Sequence, residues 1–168
     1  MLQKLIHTNS GDRNALIARV ALGVVILPHG LQKLLGMFGG AGFSGTMDFF
    51  TGTLGVPAVF VFLIIMAESF GALGLIAGIL TRFTAAGITL VMLGAVFMMH
   101  WQNGFFMNWF GIEGQGHGFE YHLLAIGLGI ICTVAGGGKW SLDVKLSERL
   151  SSAQDVKVVE ESEMKETA

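Results

Sequence analysis

The sequence predicts an all-α fold, a bundle of four transmembrane helices with both chain ends on the cytoplasmic side and glycine- and aromatic-rich loops on the outer side. Three observations predict it. Hydrophobic residues make up 52% of the 168 positions and charged residues only 13%, against about 25% charged in an ordinary soluble domain. With a mean hydropathy of +0.66, most of the surface has to face something other than water. Four apolar stretches, at 14–35, 57–80, 82–101 and 119–138, each reach the roughly 20 residues that a membrane helix needs. The basic residues are confined to alternate connections between those stretches.

Residues 1–13 are polar and too long for a simple signal n-region. The apolar run that follows carries Arg19 and His29 and has no clear small-residue cleavage site. It therefore reads as a retained helix and not as a signal peptide. The first span is NALIARVALGVVILPHGLQKLL, in which Pro28 is expected to kink the helix beside His29. The second, PAVFVFLIIMAESFGALGLIAGIL, opens on Pro57, which suits a first helical turn. After a short turn at Thr81 and Arg82 comes the third, RFTAAGITLVMLGAVFMMHW. The fourth, FEYHLLAIGLGIICTVAGGG, stops in a glycine run that can leave the helix. In lipid every backbone group must be satisfied internally, so helices fit these stretches and open coil does not. The chain thus divides into a polar segment 1–13, a membrane domain 14–144, and an acidic tail 145–168 expected to be disordered.

Orientation follows from lysine and arginine. Lys4 and Arg13 precede the first span and Arg82 lies between the second and third. Lys139, Lys145, Arg149, Lys157 and Lys165 follow the fourth. The connections 36–56 and 102–118 contain no Lys or Arg. Every connection agrees with one topology, termini in the cytoplasm and the two uncharged loops outside, as in a bacterial or archaeal plasma membrane. In the second of these loops Phe105, Phe106, Trp109 and Phe110 suit an interfacial aromatic belt. The sharper alternative is a lid over a pocket that opens outward.

Ionisable residues inside a bilayer cost about 2.5–3.5 kcal/mol each at its centre and are kept facing a bundle interior or cavity. Here they are Arg19, His29 and Lys33 on the first span, Glu68 near the middle of the second, His100 at the end of the third, and Glu120 and His122 at the start of the fourth. With spans alternating in direction, His29, Lys33, Glu68, His100, Glu120 and His122 converge on the outer half of the membrane. At about 100° per residue, Arg19, His29 and Lys33 fall within an arc of roughly 80°, so one face of the first span is polar and turns inward. Glu120 and His122 are two residues apart and point to different sides. Glu120 is favoured as the core partner, because a carboxylate also suits a helix N-terminus.

The structural reading of this cluster is charge pairing, with Glu68 neutralising Arg19 or Lys33. Two functional readings stand beside it. His29, His100 and His122, with Glu120, are residue types that ligate zinc, copper or iron, although no HxxxH or CxxC spacing supports a metal. The histidines suit hydrogen bonding and proton transfer to a quinone equally well. Met37, Met92, Met98, Met99 and Met107 read as packing residues before copper ligands, and the lone Cys132 as a small core residue. There is no GxGxxG after a strand, no P-loop, no CxxCH and no nucleophile elbow. A net charge of -2 gives no sign of a nucleic-acid partner.

The runs LIARVALGVVILPHGLQKLLGMFGGAGFSGTMDFF, AESFGALGLIAGILTRFTAAGITLVMLGAVFMMH, NGFF, FEYHLLAIGLGI and WSLD together resemble the DoxX family, over about residues 14–144 and excluding both tails. The resemblance implies a four-helix membrane bundle and an oxidoreductase subunit. A family relative in sulfur-oxidising archaea is a subunit of a thiosulfate:quinone oxidoreductase, and others look like partners in thiol, oxidative-stress or copper-related systems. On the family's recurring polar positions fall His29, Lys33, Glu68, Arg82, His100 and Glu120.

The sequence therefore points to a membrane subunit of a redox system that binds a quinone or similar small molecule. His29, Glu68, His100 and Glu120 are its candidate reactive residues, and Lys33, Arg19, His122 and Trp101 its candidate ligand contacts. The bilayer and a soluble or membrane redox partner are expected, and a homo-oligomer is compatible. The alternatives are a non-catalytic anchor for a soluble enzyme and a small-solute or copper-handling protein.

Overall fold

The computed structural model describes residues 6–152 and 164. Every regular element among them is a helix. Helix α1 (Arg13–Leu35) starts where the Asp12 carboxylate accepts from Asn14 N at 2.9 Å and Ala15 N at 3.0 Å, and it ends at Gly36 with φ 72°. These are a standard N-cap and left-handed C-cap. After a 3-10 turn at Met37–Gly39 come a short helix α2 (Gly42–Asp48) and a π turn at Phe49–Thr53. Helix α3 (Ala58–Ala77) contains a π turn at Ala67–Gly71. Helix α4 (Thr81–Asn103) contains another at Val96–His100. Helix α5 (Glu120–Ala135) follows a long loop, and α6 (142–152) closes the described chain.

Three helices, α1, α3 and α4, are long and apolar enough to cross a membrane; α5 is apolar but shorter. At about 1.5 Å per residue, the sequence stretch 119–138 would reach roughly 30 Å, the thickness of a bilayer core. The structure ends α5 at Ala135 because Gly136 turns away at φ 81°. The 16 helical residues then span only about 24 Å.

Each of α1 and α4 packs against both α3 and α5. Leu22 and Ile26, Ala72 and Leu75, Ala85, Ile88 and Met92, and Ala125 and Cys132 form the shared core. Large apolar side chains point the other way: Ile17, Phe60, Leu63, Leu90, Phe97, Leu124 and Val134 are all exposed. A soluble domain could not carry so continuous an apolar surface, whereas a bundle in lipid requires it. Between helices, small residues allow close approach. A Cβ on Gly23 would come within 2.9 Å of the Ala72 carbonyl, and one on Gly30 would collide with the backbone of Glu68 and Ser69.

The connection 36–56, which the sequence suggests is a loop, is largely helical. Met47, Phe50 and Leu54 lie on one helical face and pack with Leu34 against Val56, Val61 and Ile65. Thr46 Oγ1 donates to the Lys33 carbonyl at 3.3 Å. The tail also differs from expectation at its start, because 142–152 is helical. Residues 153–163 and 165–168, where the rest of the expected disorder falls, lie outside the described residues, as do 1–5.

At the end of the bundle where α1 begins, polar side chains close the helix termini. Arg19 is 2% exposed and donates through Nε to the Gly137 carbonyl at 2.7 Å. It also donates through its terminal nitrogens to Leu75 at 2.9 Å, Ile76 at 2.5 Å and Lys139 at 3.3 Å. Arg82 does the same for the end of α5, at Thr133 (2.9 Å) and Val134 (2.6 Å). Asp143 accepts from Leu80 N and Thr81 N at 2.8 and 2.9 Å, an N-cap for α4 delivered from 62 residues away because Leu80 offers no capping side chain. The WSLD run is therefore a lock for helix ends. Thr8 Oγ1 joins it, donating to the Ala135 carbonyl at 3.2 Å and accepting from Gly138 N at 2.7 Å.

Candidate functional site

Of the two partners expected for Glu68, Arg19 and Lys33, it pairs with Lys33 and not with Arg19. Arg19 lies one end of the bundle away from the cluster, ten residues or about 15 Å along α1 from His29, and its N–H groups go to backbone carbonyls. Sharing a helical face with His29 and Lys33 did not place it at their depth. Lys33 is the partner instead: its Nζ lies 2.5 Å from Glu68 Oε2, with the two side chains 22% and 5% exposed. Glu68 and Ser69 sit on the π turn Ala67–Gly71. Gly30 lets that turn approach α1 closely enough for the ion pair to form.

Beside this pair runs a row of polar rings. The His29 ring lies 6.1 Å from that of Tyr121, Tyr121 lies 5.4 Å from His122, and His122 lies 4.2 Å from His100. Lys33 and Glu68 are within electrostatic reach of His29, and Glu68 of Tyr121. Helices α1, α3, α4 and α5 thus each supply part of one cluster, as the alternation of helix directions predicts. His29 is exposed and stands at its edge, His100 and Tyr121 are half-buried, and His122 is buried. His100, like Glu68, projects from a π turn. Such turns widen a helix locally and recur where side chains must be aimed into a site.

His100 Nδ1 lies 2.8 Å from the His117 carbonyl. A carbonyl only accepts, so this nitrogen carries the hydrogen, and Nε2 of the neutral ring is left as an acceptor. Asn103 donates to the same carbonyl at 3.0 Å. Backbone bonds from Gly118 to Phe106, Phe119 to Gly104 and Glu120 to Phe105 fold the 104–119 loop back on itself beside the cluster.

Other sequence expectations need correction. Glu120 was favoured over His122 as the residue turned to the core, and the structure has the reverse. His122 is 6% exposed, while Glu120 accepts a 2.5 Å bond from Trp109 Nε1 and tethers the loop. Glu120 opens α5, and a carboxylate at that position is well satisfied by the loop next to it. Trp101 is also outside the cluster: it is exposed and stacks between Phe97 and Phe119. For a metal, no group of three His, Cys, Asp or Glu side chains suited to hold one occurs among the described residues. His100 and His122 are ring neighbours, while His29 meets them through Tyr121.

One member of the cluster and one neighbour of Glu68 escaped sequence reasoning. Tyr121, the only tyrosine in the chain, has a buried hydroxyl with no hydrogen-bond partner, and Ser69 Oγ is likewise buried and unpartnered. His122 Nδ1 shares that condition. Buried polar atoms in folded proteins are nearly always satisfied, and each exception calls for a cause. The available signal for Tyr121 was its rarity and its place between Glu120 and His122; Ser69 carried none. A separate groove of about 280 Å³ between α4 and α5, lined by Ala86, Thr89, Leu90, Ile130, Thr133 and Val134, is remote from these groups and faces outward with lipid-exposed residues.

The family model described as DoxX matches residues 14–101. A Bacillus subtilis (strain 168) protein named "Putative oxidoreductase CatD" is 31% identical over 87 residues, 52% of this chain and 60% of its own length. The chain therefore spans only about three fifths of that relative. The protein named "Uncharacterized membrane protein Rv3486" from Mycobacterium tuberculosis (strain ATCC 25618 / H37Rv) is 28% identical over 159 residues, covering 89% of this chain and 90% of the relative. No solved structure matches.

Proposed function

Because the chain belongs to the DoxX family, we propose that it is the membrane subunit of a redox system and binds a quinone or similar small molecule at the polar cluster of α1, α3, α4 and α5. The observation that carries this reading is His122: a buried imidazole with Nδ1 unpartnered, its ring centroid 4.2 Å from that of a second imidazole. A neutral imidazole nitrogen donates or accepts a hydrogen bond, which is what holding a quinone oxygen requires. His29 at the exposed edge and Nε2 of His100 extend the same capacity outward and across. Electrons come from a soluble or membrane partner. A relative named as an oxidoreductase supports the redox direction.

In this reading α5 is the fourth span, and the cluster opens on the extracytoplasmic side. With Cys132→Ala as background, a cysteine at Asn108 is expected to react with a membrane-impermeant maleimide in intact cells, and one at Ser152 only after lysis. The reverse pattern would turn the cluster toward the cytoplasm.

The functional test uses full-length protein in nanodiscs with decyl-ubiquinone. Binding in the micromolar range is expected, weakened about tenfold or more by His122→Ala, since a buried hydrogen bond is worth about 1–3 kcal/mol when one partner is orphaned. In membranes containing the natural partner, His29→Ala is expected to slow quinone reduction. If both variants leave binding and reduction unchanged while a partner enzyme is still retained at the membrane, the protein is an anchor and its histidines only specify packing.

A further inference from the structure

We propose that the cluster selects an uncharged ligand, held by hydrogen bonds from Tyr121 and His122, and rejects small anions. The inference rests on the cluster being a binding site and specifies what enters it. The formal charges there are Lys33 and Glu68, and they are joined at 2.5 Å with Glu68 4% exposed. An anion entering the site would have to draw Lys33 away and strand the Glu68 carboxylate in a medium where an unpaired charge is costly. Two further cations among the described residues, Arg19 and Arg82, are engaged elsewhere. Arg19 is bound by four carbonyls and Arg82 by those of Thr133, Val134 and His7, all at the opposite end. What the cluster leaves open is hydrogen-bonding capacity without net charge.

That capacity has a definite form. The Tyr121 hydroxyl and His122 Nδ1 are buried and unpartnered, and they stand on consecutive residues of α5. Tyr121 faces His29 on α1, and His122 faces His100 on α4. Tyrosine offers one donor and acceptor capacity; a neutral imidazole nitrogen offers one or the other according to its tautomer. Together they match a flat molecule that presents oxygens at separate points, such as a quinone, a hydroquinone or a phenolic ester. A site that hydrogen-bonds an oxygen discriminates strongly against molecules lacking it, because its own buried groups are then left unpaired.

The experiment compares three probes on the full-length protein in nanodiscs: methyl 2,5-dihydroxybenzoate, its free acid, and methyl 2,4-dihydroxybenzoate. The first is neutral and forms a quinone, the second is its anionic counterpart, and the third is neutral and forms no para-quinone. Both esters are expected to bind, the acid at least about tenfold more weakly, and Tyr121→Phe is expected to lower ester affinity about tenfold. Equal ester affinity in Tyr121→Phe overturns the inference, the hydroxyl then being satisfied by ordered water only. Tighter binding of the acid, lost in Lys33→Met, overturns it as well. The acid-to-ester ratio of the unaltered protein needs no variant, so misfolding of Tyr121→Phe leaves the test decisive. Ester binding without any binding or reduction of decyl-ubiquinone supports a neutral-ligand site and overturns the redox reading alone.

Discussion

Replacing Arg19 by leucine is expected to destabilise the bundle strongly while leaving the polar cluster intact. The guanidinium satisfies the carbonyls of Gly137, Leu75, Ile76 and Lys139 from a position 2% exposed. These are carbonyls at or beyond the ends of α3 and α5, the groups that a helix cannot satisfy itself. Each buried acceptor left unsatisfied costs about 1–3 kcal/mol, so two orphans alone give a loss of about 2–6 kcal/mol. Lysine is not a substitute, because one ammonium cannot reproduce a planar fork that bonds in several directions. Thermal unfolding followed by size-exclusion chromatography in detergent would show a large fall in midpoint for Arg19→Leu and an intermediate fall for Arg19→Lys. Decyl-ubiquinone affinity of whatever fraction remains folded should be unchanged, since Arg19 lies at the other end. A normal midpoint with lost affinity would return Arg19 to the ligand site.

That expectation marks where the sequence could and could not be read. Hydropathy and span length placed α1, α3 and α4 to within a few residues, because a bilayer tolerates little besides apolar helices. Alternating helix directions brought His29, Glu68, His100 and His122 together for the same reason: depth follows from rise per residue. Depth sets Arg19, in the second turn of α1, apart from His29 and Lys33 although the three share a helical face. Rotation was less legible. Whether Glu120 or His122 faces inward depends on how α5 is turned, and that is set by the Trp109–Glu120 bond from the loop and by Gly129 lying against Thr89. The π turns at Ala67–Gly71 and Val96–His100 shift every later side chain around the helix, and no periodicity argument with a fixed 100° step anticipates them. The role of Asp143 was hidden because a helix cap supplied from 62 residues away leaves no local signature.

Removing either member of the Lys33–Glu68 pair is expected to harm stability, and removing both is expected to restore most of it. The carboxylate is 5% exposed and the ammonium 22%, so Lys33→Met leaves a charge stranded beside Ser69, and breaking a buried pair in this way costs about 3–5 kcal/mol. Glu68→Leu should cost less, because the half-buried Lys33 side chain is long enough to reach toward the membrane surface. The double variant Lys33→Met/Glu68→Leu removes the charge problem and substitutes apolar volume, an exchange that is often neutral or stabilising. A double-mutant cycle on unfolding midpoints would therefore show strong coupling between the two positions. Ligand binding discriminates further. If the pair acts only to fix the π turn against α1, the double variant binds decyl-ubiquinone as the unaltered protein does once it is folded. If Glu68 also keeps His29 and Tyr121, both within its electrostatic reach, in the state that a ligand meets, recovery of stability comes without recovery of affinity. The second result is the one expected, because a carboxylate buried near the middle of a membrane helix is retained at a cost that a leucine–methionine contact would avoid.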